Sequence, residues 1–188
     1  MASTGDVLEH PVTGERLVWR LLAADTGGEL LQADLYARPG GAVAAEHVHP
    51  HQQERFEVVS GTLRIRIDGR EQTLTTGSVA VVPPGSRHVW WNAGEDEVHV
   101  IGDLRPALRS ELFFQTFFGL AAEGKVNKLG LPNLLQLAVL MHDFAPEIVL
   151  ARPPVAVQRP LFAILALLGK AFGYRSTYPQ HDPGAQRP

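Results

Sequence analysis

The chain has 188 residues, of which 45% are hydrophobic and 20% charged, and its formal net charge is -3 at pH 7. These values are typical of one globular domain with some additional structure, and they give no reason to expect nucleic acid as a partner. Because cysteine is absent, disulfides and thiolate ligands are excluded, and a metal site would have to use imidazole and carboxylate groups. The N-terminus lacks the charged start and apolar run of a secretory signal, so we expect a cytoplasmic protein.

The first half of the chain predicts short β-strands separated by turns. Residues 15–24 and 29–37 predict a hairpin around the turn at 25–28. Residues 63–68 alternate apolar and polar side chains, and the Asp68-Gly69 pair is typical of a tight hairpin turn. Further strands are predicted at 71–75, 78–82, 87–92 and 96–102. This regular succession indicates an antiparallel sandwich or barrel.

After Pro106 the pattern changes to that of helices. We predict one helix with Pro106 at its first position, a second with Asn133 as its N-cap, and a third over residues 158–174. The apolar run at 161–168 is shorter than the roughly 20 residues that span a bilayer. We therefore expect it to pack against the barrel or a second subunit, without membrane association. The predicted organisation is a barrel with N-terminal strands, a helical extension and a flexible tail: residues 1–105, 106–174 and 175–188.

Four polar side chains predict a metal site. His47 and His49 are two residues apart in an extended segment, so both side chains point to the same face. A turn then brings Glu54 back toward them, and His88 follows a Pro-Pro-Gly turn that can aim it inward. His51 continues the series, so a shifted register with His49 and His51 is an alternative, with a shorter spacing to Glu54.

Two stretches carry a family resemblance. The first reads Gly41, five residues, His47-x-His49, four residues, Glu54, six residues, Gly61. The second reads Gly77, five residues, Pro83-x-Gly85, two residues, His88, three residues, Asn92. Both resemble the two cupin motifs, closely over residues 41–92 and loosely over the flanking strands at 15–104. The helices that follow look like the extension of some single-domain bacterial cupins, which brings no known activity.

This resemblance implies both a fold and a metal. The implied fold is mainly β: a single cupin barrel, which is a double-stranded β-helix or jelly roll, with a C-terminal α-helical extension. The implied metal ligands are His47, His49, Glu54 and His88. Three imidazoles and one carboxylate suit Fe(II), Mn(II), Ni(II) or Zn(II), and they leave two open positions if the ion is octahedral. Cupin barrels commonly pair through sheet edges, so the resemblance also implies a homodimer.

Several aromatic side chains are candidates for a pocket above the metal. Phe56 and Trp90 are predicted to face the same interior as the ligands, as pocket walls or as barrel core. The phenylalanine-rich run at 113–118 is too apolar for a solvated helix face. We predict that it lies between helix and barrel, and the rival interpretation is a lid over the barrel mouth. Three further histidines have no place in either motif and are predicted to be ordinary polar residues: His51, His99 and His142.

Because one cupin barrel serves many chemistries, the function must be argued from the site. The leading hypothesis is a metal-dependent enzyme acting on a small, partly apolar organic molecule, with quercetin-dioxygenase-like non-haem oxygenation as the preferred reaction. Glu54 is then both a ligand and a candidate base. The alternatives are a metal-dependent isomerase, cyclase or lyase, a binding module without catalysis, and a closed structural zinc site. An enzyme should add an acid, base or polar anchor near the metal, whereas a pure binder can be lined by apolar groups alone.

Overall fold

A computed structural model describes residues 2–182 of the chain. The strands in this part are β1 (Val7–His10), β2 (Glu15–Leu21), β3 (Leu31–Ala37), β4 (His47–Val48), β5 (Gln53–Ser60), β6 (Thr62–Ile67), β7 (Arg70–Thr75), β8 (Val79–Val82), β9 (Arg87–Asn92), β10 (Val98–Arg105) and β11 (Val149–Leu150). The α-helices are α1 (Ser110–Ala122), α2 (Leu134–Asp143) and α3 (Val155–Ala171). Short 3-10 helices span Ala23–Thr26 and Pro179–His181.

The strands form two antiparallel sheets. One has the order β1-β2-β3-β10-β5-β8, and the other has the order β11-β4-β9-β6-β7. Apolar side chains from both sheets belong to one buried cluster, which includes Val58 of β5 and Ile65 of β6. The predicted mainly β barrel with a C-terminal helical part is therefore confirmed.

Strand β6 illustrates why these residues form a sheet with one buried face. Leu63 and Ile65 are fully buried, whereas Arg64 and Arg66 point outward, where Arg64 pairs with Glu71. This is the period of two that a half-buried strand requires. The predicted turn after β6 is also present, since Asp68 and Gly69 have φ angles of 48° and 83°. Two consecutive positive φ angles match the right-handed twist of the β6–β7 hairpin.

The helices begin and end for identifiable reasons. Asn133 caps α2 as predicted, and its side-chain oxygen accepts hydrogen bonds from the backbone N–H groups of Leu135 and Gln136. The prediction for α1 was wrong at its start, because the helix begins at Ser110 and not at Pro106. The intervening backbone is not helical: Leu108 has a φ of 48°, and the carbonyl of Pro106 accepts a hydrogen bond from the buried Gln52 side chain.

The C-terminal part is attached to both sheets. Helix α1 packs on β1, and α2 packs against α3. Strand β11 extends the five-stranded sheet by pairing with β4, with Leu150 opposite His47. None of the helices in residues 2–182 has the combined length and hydropathy of a membrane-crossing segment.

The segment that follows α3 also makes specific contacts, although we expected a flexible tail at 175–188. The Tyr178 hydroxyl donates to Gln136 Oε1 at 2.6 Å. The buried His181 side chain lies against α1, with Nε2 at 2.8 Å from Glu123 Oε1. The tail prediction for residues 183–188 lies outside the described residues.

The close packing of α2 and α3 gives a stability prediction at Gly169. A Cβ atom at this position would lie 2.8 Å from Val139 Cγ2 and 2.9 Å from the Leu135 carbonyl oxygen. We expect Gly169→Ala to lower the free energy of unfolding by about 1–3 kcal/mol, since the helices must separate, even though alanine is the better helix former. Urea unfolding followed by circular dichroism measures this. The control Leu167→Ala changes an exposed side chain of α3 and should stay within about 0.5 kcal/mol. A Gly169→Ala protein as stable as the parent would contradict this account of the packing.

Candidate metal centre

The structure brings together all four side chains that the sequence singled out as metal ligands. His47 on β4 lies directly opposite His88 on β9, within the five-stranded sheet. Glu54 comes from β5 of the other sheet, and His49 lies just after β4. One ligand atom from each of the four side chains falls within 4.8 Å of the others. The site is therefore built between the two sheets, and the strand register determines its geometry.

The Pro-Pro-Gly turn between β8 and β9 connects two of these side chains. Gly85 has a φ of 81°, which glycine adopts without the steric cost that a Cβ atom brings. Its backbone N–H donates to the His49 carbonyl oxygen at 2.9 Å. The turn that precedes His88 is thus fixed to the segment that carries His49.

Each of the three histidines turns Nδ1 toward a backbone carbonyl. The Nδ1 to oxygen distances are 2.9 Å from His47 to Ala45, 2.7 Å from His49 to Glu147 and 3.4 Å from His88 to Ser86. A carbonyl oxygen only accepts, so in the neutral form of each ring these contacts favour the proton on Nδ1, which leaves the lone pair on Nε2. This orientation through a second hydrogen bond is typical of histidines that bind metals through Nε2.

The atoms at the centre of the cluster fit a cation. His88 Nε2 and Glu54 Oε2 are 2.7 Å apart, and His49 Nε2 is 3.5 Å from the same oxygen. Despite this proximity, neither Glu54 Oε2 nor His88 Nε2 has a properly oriented hydrogen-bond partner within the described residues. Two acceptors in such proximity repel each other unless a proton or a cation lies between them. The donor set therefore could hold a divalent metal ion.

The ionisation of the cluster suits metal binding at neutral pH. Burial, followed by the charges of His88 and His49, holds the pKa of His47 well below its ordinary value. Burial alone would raise the pKa of Glu54, but the interactions with the nearby His49 and then His88 side chains outweigh burial and lower it well below the ordinary range. His49 has a raised pKa, because hydrogen bonding to Glu54 and the Glu54 charge outweigh burial. A metal would displace the His49 proton.

The cluster lies at an apolar cavity that barrel and helices enclose together. Phe56 and Trp90 line this cavity, as does the phenylalanine-rich part of α1. Other lining side chains come from α2 and from the segment at 148–150. The phenylalanine-rich run at 113–118 thus packs against the barrel and also covers the cavity, so the two interpretations offered for it describe one arrangement. About 100 Å³ is open to the centres of water-sized molecules, far more than the roughly 10–15 Å³ that one water needs.

The histidines without a motif position lie outside the cluster. His51 and His142 are exposed, and His99 Nε2 is 2.7 Å from Asp34 Oδ1 on the outer face of the six-stranded sheet. The shifted register that would use His51 is not the one adopted.

Two buried glutamates near the site were not predicted from the sequence. Glu147 precedes β11; its backbone carbonyl accepts from His49, and its buried carboxylate pairs with Arg109. Glu15 on β2 lines the cavity, and its side chain accepts a hydrogen bond from Thr13. Burial, opposed by this hydrogen bond and reinforced by the Glu54 charge, raises the pKa of Glu15 to about 7. The available signal was its alternation with Leu17 and Trp19, which places all three on one face of the strand.

A family comparison agrees with this fold. Residues 35–102 match the family model of the cupin domain. The structure of KdgF from a Halomonas species aligns with 60% of this chain and 100% of that chain, at a TM-score of 0.50 and 19% sequence identity. At that identity the likeness concerns the fold. Residues 35–102 therefore form a cupin domain, and the chain shares the cupin fold.

Two curated proteins indicate the range of its relatives. "Polyketide synthase CurC" of Streptomyces cyaneus is 33% identical over 69 residues, which is 37% of this chain and 44% of that protein. "Probable oxidoreductase virH" of Hypocrea virens is 25% identical over 158 residues, which is 75% of this chain and 69% of that protein. The first match thus spans less than half of the relative, whereas the second extends beyond the cupin domain.

The contact between Glu147 and His49 generates a prediction for Arg109. Its Nε donates to Glu147 Oε1 at 2.9 Å, and Glu147 is only 3% exposed. We expect Arg109→Met to lower the free energy of unfolding by about 1–3 kcal/mol, because a buried carboxylate loses its cation, and to weaken zinc binding about tenfold, because the segment that orients His49 shifts. Urea unfolding and competition with a zinc chelator measure the two effects.

Lys170→Met is the matched control for that variant. Lys170 forms an ion pair with Asp143 that is largely exposed, so the control should lose less than about 1 kcal/mol and bind zinc as the parent does. Equal zinc affinities in the Arg109→Met protein and the control would refute a role of Glu147 in orienting His49.

The raised pKa of Glu15 gives a prediction for stability against pH. With an ordinary pKa of 4.5 in the unfolded chain and about 7 in the fold, the folded state holds the proton more tightly. The contribution to stability is therefore complete below pH 4.5 and is lost as the pH rises through 7. Between pH 5 and pH 8 we expect the parent to lose about 2 kcal/mol relative to Glu15→Gln, which cannot ionise. Urea unfolding of both proteins in the presence of a chelator measures this difference. The titration of His10 and of the metal cluster is common to both proteins and cancels in the comparison. Parallel pH profiles for the two proteins would contradict the shift.

Proposed function

We propose that this cupin is a metal-dependent enzyme that acts on a small, largely apolar organic molecule, with non-haem oxygenation of the quercetin-dioxygenase kind as the reaction. One observation carries the proposal: of four convergent donor side chains, three line a largely apolar cavity to which α1 and α2 contribute walls. Such a combination of an apolar enclosure with few polar groups is characteristic of small-molecule sites. The Hypocrea relative, whose match covers 75% of this chain, is named a probable oxidoreductase, and this name supports the choice of reaction.

The roles of the chain's own residues follow from their surroundings. His47, His49, Glu54 and His88 would hold the ion. When bound, a divalent metal supplies Lewis acidity and open coordination positions, and iron, manganese or nickel adds redox chemistry. Phe56 and Trp90 would pack against an apolar substrate and exclude water. The low pKa of Glu54 makes this carboxylate a weak base, so we assign it to metal binding before proton transfer.

Two competing functions fit the surroundings of the cluster less well. A structural zinc site is closed by protein on all sides, whereas His47, His49 and Glu54 all line the cavity. A pure binding module needs only apolar walls, whereas this cavity also contains the carboxyl group of Glu15. Both features favour catalysis.

A metal-dependent cyclase, isomerase or lyase is the second candidate. The Streptomyces relative is named a polyketide synthase and not an oxidoreductase, which supports this candidate over the 69 residues of that match. In this reaction type the metal would polarise a carbonyl group, and no oxidant would be consumed.

The homodimer and the cytoplasmic location stay predictions. Helix α3 has an exposed apolar stripe that suits a subunit interface; it comprises Val157, Leu161, Ile164, Leu168 and Phe172.

Metal content tests the proposal. We expect the full chain, purified without chelator or nickel resin, to contain about one equivalent of iron, manganese, nickel or zinc by elemental analysis. His47→Ala/His88→Ala removes two of the four ligands and should contain less than about a tenth of that amount. The matched control is His51→Ala, which removes an exposed neighbouring histidine and should retain the metal.

Oxygen uptake then separates the two reaction types. The metal-loaded protein is incubated with a panel of flavonols and related polyphenols in an oxygen electrode, with His47→Ala/His88→Ala as the blank. Uptake by the parent alone supports the oxygenase, and conversion of a panel member without uptake supports the cyclase, isomerase or lyase. If neither protein contains metal or takes it up on reconstitution, the proposed function fails.

A further inference from the structure

Glu15 is a cavity residue to which the proposed function assigns no contact with the substrate. It is 7% exposed on β2, and it lines the same cavity as His47, His49 and Glu54. Strands β3 and β10 separate β2 from β5 within the six-stranded sheet. Glu15 therefore reaches the cavity from a different strand than Glu54, and it contributes a second polar position beyond the metal cluster.

The hydrogen bonds of Glu15 leave part of its carboxyl group without a partner. Thr13 Oγ1 donates to Oε2 at 2.6 Å, and within residues 2–182 this is the one hydrogen bond to the side chain. Thr13 is itself fixed, since its backbone N–H donates to Nδ1 of the buried His10 at 3.2 Å. One oxygen of the carboxyl group is thus held in place, and the other is available to a ligand.

The comparison with Asp103 shows that this situation is particular to Glu15. Asp103 also lines the cavity, but its Oδ1 accepts a hydrogen bond from Gln32 at 2.8 Å, and its Oδ2 lies 3.8 Å from Arg55. Glu15 has no cation beside it in the described structure, and the side chains that follow it on the same face are Leu17 and Trp19, of which only the Trp19 indole carries a polar group, an N–H that is buried without a partner. Burying a carboxyl group in such surroundings costs free energy that a single threonine does not offset.

We propose that Glu15 determines ligand specificity: its carboxyl group hydrogen-bonds an oxygen substituent of a largely apolar ligand whose other oxygen atoms face the cluster of His47, His49, Glu54 and His88. The inference rests on the proposed function and adds the substrate class. That class is an apolar molecule, such as a fused-ring compound, with oxygen atoms at two separated positions. Near neutral pH the raised pKa of Glu15 allows both forms of the group. The protonated carboxyl donates a hydrogen bond to a carbonyl or hydroxyl oxygen, and the carboxylate accepts one from a hydroxyl group.

Matched ligands test this contact. The probes are naphthalene-2,3-diol, which presents two adjacent oxygen atoms to the metal, and its analogues with a third hydroxyl group at position 5 or 6. Dissociation constants for the zinc-loaded full chain are measured by fluorescence titration. We expect at least one triol to bind the parent about fivefold more tightly than the diol, which is the range of one hydrogen bond.

Two variants and a control assign that preference to Glu15. Glu15→Gln keeps the shape and a hydrogen-bonding group, so it should retain the preference within about twofold. Glu15→Leu should lose the preference and bind the diol at least as well as the parent, because no polar group remains to be desolvated. Leu17→Met changes a neighbouring apolar wall of the cavity at nearly constant volume and should keep the preference.

The outcomes separate this inference from the proposed function. If the diol binds only in the presence of metal but the parent does not prefer either triol, the Glu15 contact is refuted and the proposed function stands. A preference that survives in Glu15→Leu also refutes the contact. If neither the diol nor a triol binds the zinc-loaded parent, the cavity is not the proposed ligand site, and both proposals fail.

Discussion

The close approach of two hydrogen-bond acceptors is the constraint on which the rest of this structure depends. Glu54 Oε2 and His88 Nε2 lie 2.7 Å apart and are shielded from solvent, and neither atom has a well-oriented hydrogen-bond partner within residues 2–182. Side chains free to move would separate. They are held together because His88 is locked into the ladder opposite His47, and Glu54 into the ladder opposite Val82. The backbone hydrogen bonds and apolar core of both sheets therefore maintain an electrostatic arrangement that is unfavourable by itself and becomes favourable around a cation.

The C-terminal part of the chain also helps to form the candidate metal centre. The carbonyl of Glu147 orients His49, and β11 pairs with β4, the strand that carries His47. Helices α1 and α2 supply apolar walls to the cavity, so water reaches the cluster less freely than it would in an open barrel. Low local polarity strengthens each electrostatic interaction inside, including those of a bound metal. A barrel without these helices would present the same four ligands in a more polar and less selective setting.

Much of this arrangement could be predicted from the sequence, because it depends on local spacing. The alternation in β6, the turn at Asp68-Gly69 and the cap at Asn133 each follow from a few neighbouring residues. The four ligands could be recognised because two motifs fix their separations. What could not be predicted depends on contacts between distant segments. The Gln52 side chain donates a hydrogen bond to the carbonyl of Pro106, which lies outside the helix predicted to start there. His181 is buried because it packs against Gly119 of α1 and contacts Glu123. Glu15 was missed for the same reason, since its strand pattern looks like that of any half-buried strand until the opposite wall is known.

The contrast between two carboxyl groups of the cavity, Glu54 and Glu15, supports the proposed enzyme over a passive container. Their surroundings act in opposite directions: the histidines lower the pKa of Glu54, whereas burial raises that of Glu15. Pairs of acids separated in this way divide the work in many active sites, with one group permanently charged and the other able to exchange a proton near pH 7. A container for apolar molecules gains nothing from Glu15, because a leucine there would bind such molecules better and cost less to bury. A carboxyl group at this position is useful to a ligand that carries a polar atom on its otherwise apolar surface, which is the ligand class that we propose for the cavity.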